Sequence, residues 1–133
     1  MNNTFEAFNQ GKIVMMDKVK EADNIEWSKH PAFEGVYLKH LLTAKDTNGE
    51  FSYHLVRIHS NCSIGLHIHE TQLETHEVIE GYGKCICSGN EIEYKPGVIA
   101  VLPKGVEHEV NAGDSGLHLF AKVNFKSKFR MQD

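Results

Sequence analysis

Apolar and polar residues alternate along most of this chain, in runs too short for helices and of the right length for strands. "GVYLKHLL" (Gly35–Leu42) and "FSYHLVRIH" (Phe51–His59) flank "DTNGE" (Asp46–Glu50), whose Asn-Gly pair is a strong hairpin signal. "SNCSIG" reads as a turn, and "LHIH", "THEVIEG", "KCIC" and "EIEY" read as strands. Gly81 ends the second of these, and "SGN" (Ser88–Asn90) and "KPG" turn the chain after the third and fourth. "VIAVL" follows, closed by Pro103; then come "HEV", a turn at "NAGDSG", and "LHLFAKV". About nine short strands at such spacing predict an all-β sandwich or small barrel.

The start of the chain is less regular. "DKVKEADNIEW" (Asp17–Trp27) fits either a helical turn or an extended arm. The first dozen residues are read as disordered or as pairing with a partner subunit. Residues 1–24 are therefore taken as an N-terminal arm and 25–133 as one barrel domain, a division that suits 133 residues.

Composition narrows the function. A net charge of −4 argues against a nucleic-acid partner, which calls for a basic face. The basic tail "KVNFKSKFR" (Lys122–Arg130) reads as a solvated end. The longest apolar run, "VIAVL" (Val98–Leu102), is too short to span a membrane. Three cysteines, an odd number, and no signal-peptide layout point to a reducing cytoplasm.

Histidine changes the picture. There are nine, and "GLHIHETQLETHEVIEG" (Gly65–Gly81) crowds three of them among four glutamates. On a strand, His67 and His69 share a face, with Ile68 opposite, and form half a metal site. A hairpin return brings Glu74 beside them as an oxygen ligand. The best candidate for a fourth ligand is His108, at the end of "PKGVEH", where Pro103 and Gly105 shape a sharp turn.

These residues stand in an order that resembles the cupins. The first cupin motif, G-x5-H-x-H-x3,4-E-x6-G, reads here His67-x-His69-x4-Glu74-x6-Gly81. The second, G-x5-P-x-G-x2-H-x3-N, reads Gly97-x5-Pro103-x-Gly105-x2-His108. Asn61 stands at the first motif's opening glycine, and asparagine is the next-best residue for a left-handed turn. The closing asparagine comes one residue early, at Asn111, and Val98 replaces an acidic residue often found after the Gly97 position.

The resemblance implies a conical double-stranded β-helix, or jelly-roll barrel, with a metal near its wider end. It implies His67, His69, Glu74 and His108 as ligands. Such a set suits one divalent transition metal: Fe, Mn, Ni, Co or Zn. For an octahedral ion about two positions stay open for water, dioxygen or substrate. A homodimer is also implied.

Around the site, His76 shares the face of Glu74 and is a candidate general base or substrate-orienting residue. His54 enters the pocket if its strand face, shared with Val56 and Ile58, lines the barrel. His30, His40, His59 and His118 are expected at the surface or an interface. Cys85 and Cys87 read as small buried hydrophobes. Glu70, Glu77 and Glu80 read as solvated charges. "GYG" (Gly81–Gly83) is no phosphate loop, and no Ser-His-Asp set can be argued.

The expected function is a metalloenzyme acting on a small polar molecule by dioxygenase-, isomerase- or lyase-type chemistry. The alternative is a non-catalytic small-molecule or sugar-binding module. Fold membership does not choose between them.

Overall fold

A computed structural model of the chain describes residues 3–125. It bears out the all-β jelly-roll. The elements run α1 (Thr4–Asn9), β1 (Lys12–Val14), β2 (Val19–Glu21), β3 (Ser28–Lys29), β4 (Val36–Leu42), β5 (Phe51–Ile58), β6 (Ser63–Ile68), β7 (Leu73–Cys87), β8 (Asn90–Tyr94), β9 (Ile99–Leu102) and β10 (Glu107–Asn124). A 3-10 turn at Ala22–Asn24 follows β2. Among the described residues no helix is long and apolar enough to cross a membrane.

Two strands form the spine. β7 and β10 are 15 and 18 residues long and lie antiparallel along almost their whole length. The first part of β10 pairs with β6 and with Gly83–Cys87 of β7; its second part pairs with β5 and with Leu73–Gly81. β4 and β3 extend the sheet beyond β5, β8 pairs with the far half of β7, and β9 with its near half.

This corrects the sequence reading in one respect. Gly81 does not end a strand, and "NAGDSG" is not a turn between two. Both segments stay in the sheet, and the spine bends there. Between the pairs Ala112↔Gly83 and Leu117↔Gly81, four residues of β10 lie opposite Tyr82 alone. The small residues that read as a turn instead make a bulge, which lets one long strand pair with different partners on either side of the bend. Gly81 and Gly116 take positive φ, 93° and 78°, and a methyl on Gly81 would run into the Gly116 carbonyl.

Other local signals hold. Asn48 and Gly49 both take positive φ in the β4–β5 connection, and Ser88 and Gly89 do so in the two-residue β7–β8 hairpin. Asn61 sits at φ 57°, so asparagine does replace the motif glycine in a left-handed turn. "SNCSIG" is shorter as a turn than its composition suggests, because β6 begins at Ser63.

The barrel has two apolar cores. One fills its interior, around Val36, Val56, Tyr94, Leu102, Val110 and Leu119. The other lies outside the large sheet, where Phe5, Ala22, Leu55, Ile79 and Phe120 meet beneath the N-terminal segment. Residues 4–9 are a helix packed on the chain's own sheet, with Phe5 buried and stacked on His118 at 3.9 Å. Lys39, buried on the outer side of β4, fastens this cover: its ammonium donates to the carbonyls of Asn9 (3.0 Å) and Ala22 (2.8 Å). The Arg57 guanidinium lies 4.6 Å from the Trp27 ring and 5.3 Å from Phe5. Of the basic tail, Lys122–Asn124 belong to β10, and the residues beyond Phe125 lie outside those described.

The bend sets a testable cost. Gly81→Ala combines positive-φ strain with a backbone clash, and lowers unfolding stability by about 1–3 kcal/mol. Urea unfolding measures it; a wild-type midpoint in the variant would show that the spine does not need glycine there.

Candidate metal centre

The four proposed ligands arrive from three strands. His67 faces inward from β6, while its neighbours Leu66 and Ile68 are exposed, as strand alternation requires. His69 stands just past the end of β6. Glu74 is the second residue of β7, and His108 the second of β10. His108 pairs directly with His67 across β6 and β10. The turn before β10, with Gly105 at φ 75°, donates its Gly105 N–H to the His69 carbonyl at 2.7 Å. The two motifs are thereby tied together through the backbone as well as through their side chains.

One nitrogen or oxygen from each of His67, His69, Glu74 and His108 lies within 4.8 Å of the others, so this group could hold a metal ion. Glu74 Oε1 is 3.1 Å from His69 Nε2 and 3.6 Å from His108 Nε2. Metal–ligand bonds of about 2.0–2.2 Å put adjacent donors about 3 Å apart, so these gaps fit a shared ion. Glu74 Oε1 and His108 Nε2 are buried yet make no well-aligned hydrogen bond among the described residues. Buried polar atoms are seldom left so. The Nδ1 of His67 meets the Gly65 carbonyl at 2.8 Å, and that of His108 points to the Val106 carbonyl at 3.4 Å. Each contact leaves Nε2 as the free donor toward the cluster.

The other oxygen of Glu74 is occupied. His76, 2% exposed, has Nε2 at 2.9 Å from Glu74 Oε2 and Nδ1 at 2.8 Å from the Tyr94 hydroxyl. Burial pushes the Glu74 carboxyl up, but the close imidazoles of His108, His69 and His76 outweigh it and hold the group far below the carboxylate range. The residue is thus an anion in an enclosed site. Burial also pushes Tyr94 well above an ordinary phenol, so it stays protonated and can donate to His76. Cys85 is likewise pushed up to about 11 by burial, which keeps it a thiol. Cys85 and Cys87 are both buried, in line with their reading as small hydrophobes.

A family model described as a cupin domain matches residues 54–121, just over half the chain. The protein is a cupin. No curated protein matches it. Solved structures with the same fold include one described as a predicted oxalate decarboxylase from Thermotoga maritima. It is 23% identical, with a TM-score of 0.70, over 77% of this chain and 95% of that one. The polyketide cyclase RemF from Streptomyces resistomycificus is 21% identical with a TM-score of 0.69, over 90% and 89%. Ectoine synthase from P. lautus is 22% identical with a TM-score of 0.62, over 71% and 67%. At these identities the likeness is one of fold.

In this cupin the cluster opens onto a cavity of about 360 Å³ inside the barrel. His54 and His76 both line it. So do His30 and His40, which the sequence reading put at the surface or an interface. For His40 the reason is that both faces of β4 and β5 are covered. Leu38, His40, His54 and Val56 face the cavity, whereas Lys39, Leu41, Leu55 and Arg57 face the N-terminal cover. Alternation with two buried faces does not say which is inside. His59 is exposed, as expected, and His118 is half-buried under α1. Glu77 has a partner, accepting from the Tyr53 hydroxyl at 2.8 Å, and Glu80 lies 3.4 Å from His118. Tyr94 was not legible as a site residue: "EIEY" carries no chemical motif, and its link to His76 crosses between β7 and β8.

His54 is pushed down to about 4, first by burial and then by neighbouring His40. The folded state then resists a proton that the unfolded chain accepts near 6.5. The stability that His54 contributes to the metal-free protein is therefore full above pH 6.5 and is lost as pH drops toward about 4. The share carried by His54 is at most about 3 kcal/mol. Urea unfolding at stepped pH should show this slope flattened in His54→Gln; parallel curves for wild type and variant would contradict it.

Proposed function

We propose that this cupin is a metalloenzyme in which His67, His69, Glu74 and His108 hold one divalent transition metal. The carrying observation is the pair of buried, unpartnered atoms, Glu74 Oε1 and His108 Nε2, aimed at one another across 3.6 Å. A cation between them satisfies both, and none of the described residues does so. The donor set of imidazole and carboxylate suits iron, manganese, nickel, cobalt or zinc. When bound, such an ion polarises a carbonyl or carboxylate oxygen, or, if iron, activates dioxygen.

The chain's own residues do the rest. His76 has both ring nitrogens engaged, so its role is to orient Glu74 and keep Oε1 turned to the cluster. Tyr94 holds His76 in the tautomer that donates to Glu74. The apolar walls, among them Leu38, Val56, Val110 and Leu119, exclude water from the ligand's body. They revise the expected substrate: its polar part belongs at the metal end and an apolar part against the walls. The names of structural neighbours, a decarboxylase, a cyclase and a synthase, favour an enzyme over a passive binding module.

Elemental analysis of purified protein should give about one metal per chain in wild type and none in the double variant His69→Ala, His108→Ala. Dialysis near pH ~5 should strip the metal, because protons compete for the imidazoles. Equal metal content in wild type and double variant, or none in wild type after reconstitution, would sink the reading.

His76→Ala should leave the site assembled but weaker, with metal affinity lower by about 10- to 100-fold. Competition with a chelator measures it. Unchanged affinity would mean that Glu74 needs no help from His76.

A further inference from the structure

A second histidine group lies on the cavity wall, apart from the proposed ligands. His40 and His54 face each other across β4 and β5, with their Nδ1 atoms 2.8 Å apart. His54 Nε2 is 2.8 Å from the hydroxyl of buried Ser52. Two Nδ1 atoms at that distance share one proton: one ring donates and the other accepts. His40 Nε2 meets no partner among the described residues, and His40 lines the cavity. One row of the sheet runs His40, His54, Ala121, His76, Ala100 across five strands. Ala121, with its short side chain, separates the pair from the residue that orients Glu74. The space above it is open to a ligand that spans both.

The rest of the wall limits what that ligand is. Phe33, Leu38, Val56, Ile64 and Leu119 are apolar, and none of the described lining residues is lysine or arginine. Glu74 supplies the one carboxylate. A phosphate or a second carboxylate on the ligand would find no cationic side chain there.

We propose that the cavity takes a small, uncharged, largely apolar ketone, and that His40 Nε2 exchanges a proton with the carbon beside its carbonyl. The proton leaves carbon for His40 Nε2, and the C–H electron pair stays on the ligand as an enolate. The proton between the rings then shifts from His40 Nδ1 to His54 Nδ1, and the reverse sequence restores both. His40 is the catalytic residue and His54, backed by Ser52, the positioning residue. Because burial and His40 hold His54 down, its ring starts uncharged near neutral pH. The placement of the carbonyl end rests on the metalloenzyme reading above; the relay rests on the His40–His54–Ser52 geometry.

Acetophenone in D2O, followed by proton NMR with the Zn(II)-reconstituted protein, tests the step. Deuterium should enter its methyl group faster than in buffer, and His40→Gln should slow this by about 100-fold while keeping its metal. His54→Gln should slow it less, and oxalate should bind more weakly than acetophenone. Exchange no faster than in buffer, or equal in His40→Gln, overturns the proposal, as does tighter binding of oxalate. Metal content is measured on the same samples. Metal bound without exchange sinks this inference alone; metal absent throughout sinks the reading beneath it. Nitrogen NMR of the metal-free wild type gives an independent decision on the relay. One protonated and one bare Nδ1 in the pair are expected; two of either kind refute it.

Discussion

The arrangement depends on one buried carboxylate. Glu74 has one oxygen fixed by His76 and the other turned toward His69 and His108 with no aligned donor. An ionised carboxylate inside a protein is costly unless it is paired. Here half of the pairing comes from the chain, through a line running from Tyr94 to His76 to Glu74. The other half is left for something that three imidazole nitrogens can also bind. A cation meets that requirement better than a further hydrogen-bond donor, because the Nδ1 contacts of His67 and His108 leave their Nε2 lone pairs toward the cluster.

Holding that carboxylate in place requires the bent spine. Glu74 and Cys85 lie on one strand, yet Glu74 pairs beside β9 and Cys85 beside β8. The bend of this strand brings Tyr94, from β8, behind His76, which contacts Glu74. The bulge at Gly81 and Gly116 makes the bend without breaking the ladder. Structural glycine and proposed metal ligand thus belong to one device, although Gly81 lies seven positions beyond Glu74.

The sequence was informative where chemistry and spacing coincide. His67, His69, Glu74 and His108 could be singled out because strand alternation put two imidazoles on one face and turn residues marked the returns. Asn61 could be assigned a left-handed turn because its side chain tolerates that backbone. The rest was hidden for identifiable reasons. The bulge at Gly113–Gly116 has the composition of a turn, and composition does not distinguish a strand that bends from one that ends. His40 was expected at the surface or an interface because histidine is seldom fully buried, and the alternation along β4 does not say which face is inside. In fact Lys39 is buried by the N-terminal cover, and His40 is half-buried and lines the cavity. Tyr94 acts through a contact between strands, which no local pattern records.

That pair of neighbours also connects the cover to the cavity. Along β4, Lys39 points outward to the carbonyls of Asn9 and Ala22, and His40 points inward to His54. Along β5, Arg57 points outward to Phe5 and Trp27, while His54 and Val56 face the cavity. The outer residues hold the N-terminal segment against the sheet, and the sheet in turn sets the spacing of β4 and β5. A hydrogen bond between two imidazoles is sensitive to that spacing, since it weakens steeply once distance or angle departs from its optimum. The small outer core therefore does more than add apolar burial: it fixes the two strands whose inner faces carry the histidine pair. The N-terminal segment, which has no motif of its own, is in this way part of what keeps the cavity wall in order.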